Sequence, residues 1–198
     1  QHVAVEPTPE EVGTLLANPG VAMARELFMI GDTVAARRQW SWTIRMLSPR
    51  ELAVAAVLAQ QWGWHDRAIF TVNRSDHLDD LELRFPVLYR DLVEQSAQQA
   101  NIEPDWVYGV MRQESAFVTD ARSSAGALGL MQLMPQTGRL TARRINLAID
   151  GNNAILKIEN NLRLGASYLK QVLDIYNGHA VLATASYNAG PHRVKEWL

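Results

Sequence analysis

Val107, Val110, Met111 and Glu114 recur at the i, i+3, i+4, i+7 spacing of one helix face, and Pro104 stands where a first helical turn accepts a proline. The pattern predicts a helix whose apolar stripe ends in a carboxyl group. Ile158, Leu162, Gly165, Leu169, Val172, Leu173 and Tyr176 trace a longer stripe, with Gly178 placed to stop it, and this is the predicted core helix. A further apolar run, Val181 to Tyr187, closes at Asn188-Ala189-Gly190-Pro191, a strong terminator. Tyr187 and Asn188 therefore fall at a helix end, where side chains can face a cleft. Upstream, Gly20 to about Ser75 reads as short amphipathic helices in pairs, preceded by a short helix from Pro9 to Leu16. Ser48-Pro49-Arg50-Glu51 is the clearest local signal: Ser48 caps, Pro49 suits the first turn, and Glu51 reaches back in a capping box. Trp62, Trp64, Phe70 and Val72 read as packing residues between paired helices, and Arg37, Arg38, Asp66 and Arg67 as a solvated face.

One segment breaks the helical pattern. Gly126-Ala127-Leu128-Gly129-Leu130-Met131-Gln132 carries two glycines and leads to Pro135-Gln136-Thr137, a helix start. The chain thus reads helix, tight excursion, helix, and excursions of this kind carry function. Glu114 lies just before it. A carboxyl held against apolar neighbours resists ionisation, so its pKa should rise and leave it able to donate a proton near neutral pH. From position alone, a Glu114 that caps its helix or pairs with an arginine is an equal alternative.

Composition narrows the picture without deciding it. With 198 residues, 47% hydrophobic content and a net charge of −2, the chain fits one or two globular domains, and neither half is basic enough to argue for nucleic acid. No run approaches bilayer-spanning length. There are 0 cysteines, which excludes disulfides and cysteine-bound zinc. His65, His77, His179 and His192 stand in no HxxxH or HxH arrangement, so no metal site is expected. Starting at Gln1 without a charged-then-apolar leader, the chain reads as a processed product or an excised part.

Three ordered motifs then match a known family: Gln113-Glu114-Ser115-Ala116-Phe117; Ser123 to Pro135, containing Gly129-Leu130-Met131-Gln132; and Tyr187-Asn188-Ala189-Gly190-Pro191. Together they resemble the soluble lytic murein transglycosylases, family 1 enzymes with a goose-lysozyme-like catalytic domain. The run Leu81 to Tyr89 resembles the segment leading into that domain, so the likeness covers most of residues 21 to 198. It implies a mainly α chain. Residues 1–20 would be the tail of a missing superhelical region, 21–86 a helical linker domain, and 87–198 a lysozyme-like transglycosylase domain with minimal β structure, incomplete at its C-terminus.

The resemblance also implies a chemistry. Most glycosidases need two carboxylates across the bond. The acids between Glu114 and the third motif, Asp120, Asp150, Glu159 and Asp174, lie outside all three motifs, so a single carboxyl is expected to serve. Glu114 matches the acid/base that cleaves the β-1,4 bond between N-acetylmuramic acid and N-acetylglucosamine, forming a 1,6-anhydro sugar. Ser123, Gln132, Met134, Tyr187 and Asn188 match glycan-lining positions, with Tyr187 expected to hold Glu114 through a hydrogen bond. No metal or other cofactor is implied, the partner is the peptidoglycan strand, and the compartment is the periplasm. A hydrolytic goose-type lysozyme and a non-catalytic glycan-binding module are the competing readings, the second disfavoured by the presence of Glu114.

Overall fold

The computed structural model describes residues 3–198, and among them every regular element is a helix; pairing between extended segments is confined to isolated bridges at Leu128 with Arg122 and Leu133. The mainly α class that the resemblance implies is therefore the observed one. The chain divides into two compact units between Pro86 and Val87.

The first unit comprises α1 (Pro9–Leu16), α2 (Pro19–Met29), α3 (Thr33–Thr43), α4 (Pro49–Gln61), α5 (His65–Val72) and α6 (Leu81–Arg84). α4 starts as predicted: the Ser48 N–H donates to Glu51 Oε2 at 2.8 Å and the Glu51 N–H to Ser48 Oγ at 3.3 Å. α1 uses the same device through Thr8 and Glu11. The core of the unit forms around Trp40, which is fully buried on α3 and donates its indole N–H to Thr71 Oγ1 at 2.9 Å. Trp64 packs beside it and stacks on Phe28 with ring centroids 4.5 Å apart.

Two expectations fail here. Phe70, expected in the packing between helices, is exposed and lies under the Arg67 guanidinium, 5.0 Å from the ring centroid. Asp66, expected on a solvated face, is 5% exposed and is shared by Arg37 at 3.2 Å and Arg67 at 3.1 Å. An i, i+4 pattern says which way α5 faces its neighbours but not that α3 brings a second guanidinium to the same carboxylate. Both arginines reach solvent, so truncating Asp66 strands no buried charge. Asp66→Ala is expected to lower stability by about 2 kcal/mol in urea denaturation, below the range for a fully buried pair. A loss under about 0.5 kcal/mol would place Asp66 with ordinary surface pairs.

The second unit comprises α7 (Arg90–Ala100), α8 (Pro104–Glu114), α9 (Pro135–Arg144), α10 (Gly151–Leu156), α11 (Ile158–Ile175), α12 (Ala180–Ala189) and α13 (Pro191–Trp197). α11 is the central helix the stripe predicted, packing against α7, α9, α10 and α12. Leu162, Gly165, Leu169 and Val172 are buried along it, and Gly178 turns the chain at φ 85°. Val181, by contrast, points outward on α12. No helix among the described residues is long and apolar enough to cross a membrane.

Candidate active site

Glu114 is the last residue of α8, and the turn from Ser115 to Phe117 holds it in place. Ser115 Oγ donates to the Met111 carbonyl at 3.2 Å and accepts from the Phe117 N–H at 3.1 Å. Ala116 and Phe117 then take left-handed conformations, φ 48° and 68°, while buried. Consecutive non-glycine residues in that region store backbone strain, and such strain clusters at functional sites.

The excursion after it closes on itself. The Leu128 and Leu133 N–H groups donate to each other's carbonyls at 2.9 and 3.0 Å, and the Gly129 N–H donates to the Ala121 carbonyl at 2.8 Å. Gly129 adopts φ 75°, and a Cβ there would stand 2.5 Å from Asn161 Nδ2, so backbone and α11 approach as closely as only glycine permits.

Beside these segments runs a groove of two hollows that meet at Tyr187 and Asn188. The larger, of 490 Å³, is walled by Trp106, Gly109, Val110, Gln113 and Glu114 from α8 and by Thr184, Ala185, Tyr187 and Asn188 from α12. The smaller, of 240 Å³, includes Gln132, Met134 and Tyr168. Glu114 is half-buried at the larger hollow, and burial raises its pKa above the ordinary carboxyl value. No other aspartate or glutamate lines either hollow. Tyr187 packs on Tyr168, with ring centroids 5.4 Å apart, and its phenol is pushed well up by burial, then by the charge of Glu114 and by Tyr168.

The structure thus brings five of the six expected site residues to one groove. Glu114, Tyr187 and Asn188 line the larger hollow; Gln132 and Met134 join Tyr187 and Asn188 in the smaller. Ser123 lies in neither. Its Oγ accepts the Ala127 N–H at 3.0 Å and so serves the turn that carries it. The one expected bond within the site also goes elsewhere. The Tyr187 hydroxyl donates to the Met131 carbonyl at 2.7 Å, not to Glu114. The Gln132 amide, at φ 45°, donates to the Ala121 and Gly129 carbonyls at 3.2 and 2.9 Å, so its nitrogen braces the loop.

Trp106 and Thr184 were not singled out in the sequence, and Gln113 only as a member of the first motif, without a place in the site. The signal existed: Trp106, Gly109, Val110 and Gln113 repeat the core stripe one residue earlier, and Gly109 opens the space beside it. Trp106 Nε1 donates to Thr184 Oγ1 at 3.1 Å and ties the two walls together.

A helical unit with one half-buried carboxyl in an open groove fits the lysozyme-like class that the three motifs resemble. The comparisons specify it further. Residues 91–198 match the Transglycosylase SLT domain and residues 14–81 the Soluble lytic murein transglycosylase L domain. The chain belongs to the soluble lytic murein transglycosylase family. It is 33% identical to the soluble lytic murein transglycosylase of Salmonella typhimurium, covering 98% of this chain and 30% of that protein. A crystal structure of an inactive glutamate-to-glutamine mutant of the lytic transglycosylase Slt from Pseudomonas aeruginosa superposes with a TM-score of 0.92 at 37% identity, over 98% of this chain and 31% of that one. The 70 kDa soluble lytic transglycosylase of Escherichia coli gives 0.83 at 32% identity, over 98% and 32%. The chain therefore spans about a third of the length of these relatives.

Proposed function

We propose that this chain is the part of a lytic transglycosylase that cleaves peptidoglycan, with Glu114 as its acid and base. The observation that carries the reading is the solitary carboxyl of the groove: half-buried, raised in pKa, with no second acid among the lining residues. Protonated Glu114 donates to the glycosidic oxygen between N-acetylmuramic acid and N-acetylglucosamine, and the bond from that oxygen to the muramic acid C1 breaks as positive charge develops on the ring. The resulting carboxylate then takes the proton of the muramic acid's own C6 hydroxyl, whose oxygen bonds to C1. The product is 1,6-anhydro-N-acetylmuramic acid, no water is consumed, and Glu114 ends protonated as it began. A lone carboxyl suffices because the substrate brings its own nucleophile.

Gln132, Met134, Tyr187 and Asn188 are assigned to the glycan. The Asn188 amide, exposed at the junction of the hollows, suits an acetamido group, and Met134 offers a soft apolar wall. The periplasm is the compartment we propose for this chain, on the family resemblance. Digestion of purified sacculi followed by mass spectrometry tests the reading. Anhydro ends are expected, lighter by one water than the reducing ends a hydrolytic lysozyme would release. Reducing ends alone would refute the transglycosylase reading.

A further inference from the structure

α11 carries a polar side chain inside its apolar stripe. Asn161 is fully buried, and backbone saturates its amide: Oδ1 accepts the Met131 N–H at 2.8 Å, while Nδ2 donates to the carbonyls of Leu128 at 2.9 Å and Ile155 at 3.1 Å. A buried amide is tolerated only when so paired. Met131 is consequently held at both of its backbone polar groups, its N–H by Asn161 and its carbonyl by the Tyr187 hydroxyl. Gly129 leaves the room that the Asn161 amide occupies.

The second of those bonds has a chemical consequence. A phenol has one proton, and Tyr187 gives it to the Met131 carbonyl. What the oxygen still offers is lone pairs, and Tyr187 lines the same hollow as Glu114. A lone pair can accept from a protonated carboxyl or a sugar hydroxyl; it gives nothing to a carboxylate.

We propose that Asn161 is a positioning residue for the acid: by clamping the Leu128–Met131 loop to α11 it fixes the carbonyl that captures the Tyr187 proton, so that the phenol presents a lone pair and not a proton to the Glu114 hollow. This rests on the assignment of Glu114 as the proton donor. Without the clamp the Met131 carbonyl drifts, the phenol turns its proton to the carboxylate, and the ionised form gains a hydrogen bond it otherwise lacks. An acid works only while protonated, so activity should then fail at lower pH.

Asn161→Ala, Tyr187→Phe and the double variant, assayed on sacculi across pH beside thermal unfolding, test this. Asn161→Ala is expected to move the alkaline limb of the rate profile down by about one pH unit and to lower kcat at neutral pH by ~tenfold, with KM little changed. In the Tyr187→Phe background the same substitution should leave the limb where it was, because the group it acts through is gone. A folded Asn161→Ala protein whose limb coincides with the parent's overturns the proposal, as does an equal shift in both backgrounds. Amide exchange in the parent needs no variant: the Met131 N–H should exchange as slowly as the interior amides of α11, and exchange as fast as the exposed Ser124–Ala125 turn overturns the clamp. A Glu114→Gln protein as active as the parent would instead count against the acid itself and leave the exchange result to judge Asn161.

Discussion

Glu114→Gln lowers the rate of glycan cleavage by about a hundredfold or more, and it does so without weakening the fold. The amide keeps the shape of the carboxyl at the end of α8 and cannot give up a proton to the leaving oxygen. Stability should move the other way. Burial raises the pKa of Glu114 in the folded protein above its unfolded value, so the native state holds that proton more tightly than the unfolded chain does. The stability this contributes is complete below the unfolded pKa and is lost as pH rises through the folded one, above which a half-buried charge has to be tolerated. Glutamine is neutral throughout and escapes the loss. The variant is therefore expected to melt at or above the parent's temperature at pH 7 and level with it near pH 3. Differential scanning calorimetry at the two pH values, run beside the sacculus assay, checks both. A variant that is less stable at pH 7, or that still turns over at a tenth of the parent rate, removes the physical basis for the acid.

Gly129→Ala carries the largest expected cost in stability, about 3–5 kcal/mol, because several penalties meet at one carbon. An L-residue held at φ 75° costs about 1–2 kcal/mol. The new Cβ would also stand 2.5 Å from Asn161 Nδ2 and 2.8 Å from its Cγ, and that side chain cannot yield without leaving its own bonds to Leu128, Met131 and Ile155. Buried partners left unpaired cost about 1–3 kcal/mol each, less whatever the loop recovers by moving. Denaturant unfolding measures the sum. A loss below about 1 kcal/mol would show that the loop slides off α11 freely and that the close approach is incidental.

Much of this molecule was legible before any coordinates. The helical period gave α8 and α11, an apolar run closed by Asn188-Ala189-Gly190-Pro191 gave α12, and Ser48 with Glu51 gave the start of α4, since capping, termination and amphipathicity are local and are settled within a few residues of chain. Glu114 was legible for the same reason: a carboxyl at the end of an apolar stripe is conspicuous. Asp66 was misread because its neutralising partner Arg37 comes from another helix. Asn161 was passed over because an asparagine beside a stripe looks like its polar edge, and only the loop that descends on it makes it interior.

The residues by themselves determined a helical chain, the break in helical pattern around Gly129, and a carboxyl poised to be buried. Each comes from periodicity and backbone preference over short distances. Where the hydrogen bonds of Tyr187 and Gln132 go was decided only by the packed structure, as was the bond that ties Ser123 into its own turn. A side chain's partner is whichever group the rest of the chain delivers to it. For Tyr187 that group lies 56 residues away in sequence, beyond the reach of any local pattern.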